Sequence, residues 1–240
     1  MGTRKPMTEI ETEILTSQYF GLVAASYVEH RIGPKWWLEN AAAETLLERI
    51  PEGASVLDVP VGTGRFFPIY KSRRLTVSGI DVSRDMLEQA ANYAEELGAA
   101  VTLAEGDIRN LPFPNNHFDL VLCVRFLNLA GEALMAESLR ELARVSRQSV
   151  LIGVRYLAPY SELGKSPFDL LRRTMRFLRL PIYRSSRWGL TNYRKDHVDA
   201  AIQEAGLQPL TSHHVERRWD GTDYVFLHLN KLEPMGLHSS

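Results

Sequence analysis

A single cysteine, Cys123, stands in 240 residues, which excludes an internal disulfide and any metal site built on cysteine pairs. A reducing cytoplasm is the compartment this usage predicts. Charge of one sign is also lacking. With 28 Lys and Arg against 29 Asp and Glu, the formal net charge is -1, so no global field favours nucleic acid and any anion-binding surface must be local. No run reaches the roughly 18 apolar residues of a spanning helix. Glu9, Glu11 and Glu13 stand where an export signal needs an apolar stretch, and Pro6 stands where a myristoylation signal needs Ser or Thr. Internal repeats and low-complexity segments are missing as well. The composition, 45% hydrophobic and 24% charged, is globular with room for a sizeable core, and the length allows one large domain, as α/β chains of this size commonly form, or two small ones.

Short apolar runs recur at 55–58, 76–80, 100–104, 118–123 and 149–154, with helix-length segments between, notably 86–97 and 132–145. That alternation predicts a parallel sheet with crossover helices. Residues 8–49 read as helices broken near Gly33-Pro34, with an amphipathic run over 36–50 whose Trp36-Trp37 pair is expected to pack in the core. Residues 156–191 break the rhythm. A helix over 196–205 follows, and two strands at 208–216 and 222–229 are joined through Asp220-Gly221, a hairpin signal.

The strongest local signal is the run from Val56 to Phe66, Val-Leu-Asp-Val-Pro-Val-Gly-Thr-Gly-Arg-Phe, an apolar strand entering a turn with two glycines. Gly62 and Gly64 would let a ligand approach the backbone, so neither is expected to tolerate a side chain. A dinucleotide fingerprint needs a third glycine where Phe67 stands, which disfavours NAD. Asp81 closes the second strand, where a carboxylate can accept from both hydroxyls of a ribose; the competing reading, a helix cap, can be met by Ser83 instead. Asp107 follows the third strand, where it can accept from an exocyclic amine while Ile108 covers a flat ring, or simply make a turn. Cys123 lacks a neighbouring base and reads as a small buried hydrophobe. His213-His214 points to opposite faces of a strand, so no metal site is expected.

In the order Leu57 to Gly64, Gly79-Ile-Asp81, Glu105-Gly-Asp-Ile108 and Leu111-Pro-Phe through Phe118-Asp-Leu-Val121, the chain resembles the class I S-adenosylmethionine (SAM)-dependent methyltransferases. It is most similar to their small-molecule branch, which includes the ubiquinone and menaquinone methyltransferases. The resemblance covers about 50–154 well and the C-terminal helix and strands weakly. It implies an α/β fold: a seven-stranded, mostly parallel, doubly wound (Rossmann-like) sheet with an antiparallel last strand and helices on both faces. It also implies SAM across the carboxyl ends of strands one to four, with S-adenosylhomocysteine (SAH) as product. Carried over by position, Asp58, Pro60 and the Gly62-Thr63-Gly64 loop would meet the amino acid part. Asp81 would meet the ribose, Asp107 and Ile108 the adenine, and Cys123 and Val124 the methionine moiety, with Val82 and Met86 also among the donor-binding residues. Pro60 departs from the family, which usually has glycine there, and it fixes φ and removes a donor.

The domain plan implied is a single methyltransferase domain over 1–240: a helical cap at 1–50, a SAM-binding core at 51–155, a basic insertion at 156–191 and a closing helix and hairpin at 192–240. From 165 to 195 nine basic residues face one acid, Asp169. If 168–180 is helical, Arg172, Arg176 and Arg179 form one stripe. A lid or acceptor wall is the favoured reading; peripheral membrane contact through 165–195 and a solvated helix packing on the core or a second subunit are the alternatives. Asn128 and Tyr156 fall at the expected mouth of the site, as acceptor-contact candidates expected to be structural or orienting rather than catalytic. The expected activity is methyl transfer to a small, anionic or lipid-linked acceptor by in-line displacement. The rival is a SAM-binding scaffold without catalysis. A nucleic-acid acceptor is disfavoured, because Cys123-Val-Arg-Phe126 stands where an Asn/Asp-Pro-Pro-Tyr-like tetrapeptide would be needed. No residue carries a general-base signature, and no feature points to an oligomeric state.

Overall fold

The computed structural model of the chain describes residues 34–157, 174, 193–217 and 222–232. The four apolar runs after residue 50 form parallel strands β1 (Ser55–Asp58), β2 (Thr76–Asp81), β3 (Val101–Glu105) and β4 (Phe118–Cys123), followed by β5 (Ser146–Leu157). Strand β6 (Tyr193–Arg194) adds two residues beside the end of β5, and β7 (Leu207–Arg217) and β8 (Thr222–Lys231) complete the sheet. The order is β3-β2-β1-β4-β5-β8-β7, with β6 on β5. Strand β8 lies antiparallel between β5 and β7, so the mostly parallel architecture expected from the sequence holds, with β6 as an eighth, short member.

Successive strand residues face opposite sides, and this sheet is covered on both. Leu57, Val121, Cys123 and Ile152 pack toward α4 (Glu132–Val145) and α5 (Lys195–Glu204). Val56, Val77, Leu120 and Leu122 pack on the other face with residues of α1 (Pro34–Leu47), α2 (Phe67–Ser72) and α3 (Arg84–Leu97). Helix α3 starts where Ser83 accepts from the Met86 amide at 3.3 Å and stops at Gly98, whose φ of 64° suits glycine. Helix α4 is amphipathic because Leu134, Met135, Leu139, Leu142 and Ala143 recur on one side.

Helix α1 corrects one expectation. Its buried stripe is Glu39, Ala42, Ala43, Leu46 and Leu47, at helical spacing, so Trp37 falls off the stripe and is 66% exposed. Because β1 pairs with β2 on one side and β4 on the other, the connections diverge at β1. A crevice at such a switch point, beyond the carboxyl ends of the strands, is where an open α/β sheet binds ligands.

Candidate functional site

Parallel pairing brings Asp58, Asp81, Glu105 and Cys123 to one edge of the sheet. The connection after β1 is stitched to its neighbours on both sides: Val59 N–H donates to Leu122 O and Val61 N–H to Ile80 O, each at 2.9 Å. It therefore runs along the tops of β2 and β4. Gly62 and Gly64 both have positive φ, 55° and 80°, which explains glycine at each. Their surroundings differ. A side chain at Gly62 would meet nothing within 4 Å, whereas one at Gly64 would strike the Phe67 ring, 2.5 Å from Cδ2. A side chain at either would be strained by the positive φ, but the neighbours differ: Gly62 faces open space, whereas Gly64 is set by packing against a buried phenylalanine.

Asp81 is not a helix cap, since Ser83 fills that role. Its Oδ2 accepts from Gly62 N–H and its Oδ1 from Ser83 N–H, both at 2.9 Å. Burial pushes its pKa above the usual carboxylate value, against those backbone donors and that of Val82. Asp58 is buried and accepts from Tyr70 Oη at 2.9 Å. Burial raises its pKa to about 7; the Tyr70 hydrogen bond opposes the shift, the Asp81 charge adds to it, and Arg65 opposes it. Two carboxylates at a partly covered edge suit a cationic ligand. Pro60 and Thr63 are half-buried beside them, and Val82 is 45% exposed.

Asp107 makes a turn and more. Its carboxylate accepts from Arg109 Nε at 2.9 and 3.0 Å and from Arg109 N–H at 2.8 Å. Ile108, Met86 and Val124 are buried, as is Cys123, whose thiol is pushed upward by burial and then by the Asp58 charge. A thiol held protonated in this way is no nucleophile.

Asn128 and Tyr156 are both buried. Asn128 Nδ2 donates to Arg155 O at 2.8 Å, and its Oδ1 accepts from Arg155 N–H at 2.7 Å. That pairing makes Asn128 a staple of the β5 backbone. Tyr156 belongs to the core beside α5. Arg172, Arg176 and Arg179 lie outside the described residues. The histidine pair is exposed on β7.

Several residues at this edge escaped sequence reasoning. Glu39 is fully buried and paired to both Arg65 and Arg125. Burial would raise its pKa, but hydrogen bonds and charge from Arg125 and then Arg65 hold it below the usual range. A charged residue in the stripe of Ala42, Ala43 and Leu46 was the available signal. Tyr70 and Arg109 carried none.

Residues 56–149 match a family described as a methyltransferase domain. The chain is 33% identical over 178 residues to malonyl-acyl-carrier protein O-methyltransferase of Pectobacterium atrosepticum, covering 72% of this chain and 66% of that protein. It is 40% identical over 98 residues to phosphatidylethanolamine N-methyltransferase of Cereibacter sphaeroides, covering 40% and 47% respectively. The chain thus spans about half to just under two thirds of the length of these relatives. Among solved structures, magnesium protoporphyrin IX methyltransferase of Synechocystis with bound SAM shares the fold, with a TM-score of 0.64, 12% identity, and coverage of 95% of this chain and all of that one (100%). The matched segment runs from β1 into the first residues of β5, the strands whose edge carries the glycine loop and both buried carboxylates, and this segment is a methyltransferase domain of that family.

Proposed function

We propose that the chain transfers a methyl group from SAM to a small acceptor, with the donor lying along the carboxyl edge of β1 to β4. The observation that carries this reading is the Gly62 amide bound to Asp81 beside Asp58, with open space next to Gly62. The residues fit the donor: buried carboxylates match its cationic groups, and the bare face of Gly62 admits it. Asp58 and the Gly62-Thr63-Gly64 loop hold the amino acid end. Asp81 accepts from the ribose hydroxyls, using lone pairs left over from its backbone donors. Asp107, kept in place by Arg109, takes the adenine side with Ile108. When bound, SAM supplies a methyl carbon whose bond to a cationic sulfur breaks, the sulfur keeping the electron pair, as the acceptor's lone pair attacks in line. The protein contributes chiefly position, which is worth roughly 7 kcal/mol or more when the reacting atoms are held collinear.

The acceptor is small and anionic or lipid-linked. The nine-to-one excess of basic residues over 165–195 supports this, as do relatives named for a carrier-linked malonyl group and a phospholipid. The test is calorimetry with SAH, followed by transfer of labelled methyl from SAM to malonyl-carrier protein and to phosphatidylethanolamine. Asp81→Ala should cost roughly 1.5 to 3 kcal/mol of SAH binding. Exchange of Arg172, Arg176 and Arg179 for Gln should raise the acceptor KM and leave SAH affinity intact. A wild-type protein that does not bind SAH refutes the proposal.

A further inference from the structure

Helix α1 carries a carboxylate where its apolar stripe should continue. Glu39, 0% exposed, accepts through Oε2 from Arg65 Nη1 at 2.9 Å and from Arg125 Nε at 2.7 Å, and through Oε1 from Arg125 Nη2 at 2.6 Å. Arg65 also donates through Nε to Asn40 Oδ1 at 2.5 Å, on the same helix. The positions of the two arginines matter. Arg65 immediately follows Gly64, and Arg125 stands two residues beyond Cys123, the last residue of β4. A single carboxylate on α1 is therefore tied to both flanks of the edge.

A second observation points the same way. Arg125 has φ 64°, a left-handed conformation that costs an L residue about 1 to 2 kcal/mol. Its guanidinium makes a two-point bond to Glu39, so the pairing holds the backbone where it does not rest by itself. A device serving stability alone could join α1 to the sheet anywhere along its 14 residues. This one joins it at the two segments that frame the glycine loop.

We propose that Glu39 is a positioning residue: by holding Arg65 and Arg125 together it sets the spacing between the glycine loop and the end of β4, and it couples the docking of α1 to donor occupancy. The inference rests on the donor reading above. Coupling between sites is reciprocal, so a ligand that prefers the assembled edge must stabilise the docked helix by the same factor that docking improves its affinity.

The experiment uses the full chain and SAH. In the wild type, saturating SAH should slow amide exchange across residues 38–47 by about tenfold, within the usual range for such coupling. Glu39→Gln should raise the SAH dissociation constant by about tenfold and abolish the added protection. Arg125→Lys, which keeps the charge but not the two-point geometry, should show a smaller loss in both. SAH binding that leaves exchange over 38–47 unchanged in the wild type overturns the inference even if Glu39→Gln fails to fold. So does a folded Glu39→Gln protein with wild-type affinity. Both outcomes leave the donor reading standing. Absence of SAH binding by the wild type sinks the donor reading and this inference with it.

Discussion

Replacing Gly62 and Gly64 one at a time by alanine separates two jobs that look identical in sequence. Each has positive φ, so alanine at either position costs about 1 to 2 kcal/mol for entering the left-handed region. At Gly62 that is the whole penalty, because the new methyl meets nothing within 4 Å. At Gly64 the methyl would lie 2.5 Å from Phe67 Cδ2 and 2.7 Å from Cζ, and Phe67 is fully buried against α3, its ring stacked on Tyr93 at 6.1 Å. The ring cannot swing into solvent, so overpacking adds about 1 to 3 kcal/mol. The total for Gly64→Ala is about 2 to 5 kcal/mol, a large share of the roughly 5 to 15 kcal/mol a domain has. Urea unfolding reads the stabilities and calorimetry with SAH reads binding. Gly62→Ala should stay folded and bind SAH poorly; Gly64→Ala should shift the unfolding midpoint far more. Equal midpoints would refute the packing argument, and normal SAH binding by Gly62→Ala would place the open side of the loop away from the donor.

The pKa of Asp58, raised from 3.8 to about 7 by burial, has consequences of definite sign. The folded protein holds an extra proton across that window, so the group's contribution to stability is present below pH 3.8 and lost as pH rises through about 7. If the ionised form takes up the ligand's ammonium, SAH affinity should climb by about tenfold per unit up to that value and then level off; a flat profile would count against Asp58. Tyr70→Phe removes a hydrogen bond that lowers this pKa, so the profile should move to higher pH. Asn128→Ala leaves the buried Arg155 N–H and C=O without their side-chain partner and should cost about 2 to 4 kcal/mol in thermal unfolding. It should leave the acceptor KM alone, and a raised KM would return Asn128 to the acceptor site.

The short buried strands and the helices between them were legible because their signals are local. Alternation of apolar runs with helical spacing dictates a parallel sheet, and β1, β4 and α4 occupy the segments that pattern marks. Two glycines after a strand, an aspartate closing each of the first two strands and the Leu-Pro-Phe segment identified the family, since chemistry at a switch point depends on residue type and spacing along the chain. Partnership was beyond reach. Which glycine faces a phenylalanine depends on how the short helix α2 turns back. That Asn128 is spent on the β5 backbone depends on a contact 27 residues away. Glu39 and Arg125 are 86 residues apart, and nothing local marks Arg125 for a left-handed backbone. Local pattern determined the elements and the edge where they end. Only tertiary packing, by bringing distant charges out of water together, decided which side chains at that edge are paired with one another and which hold the backbone in shape.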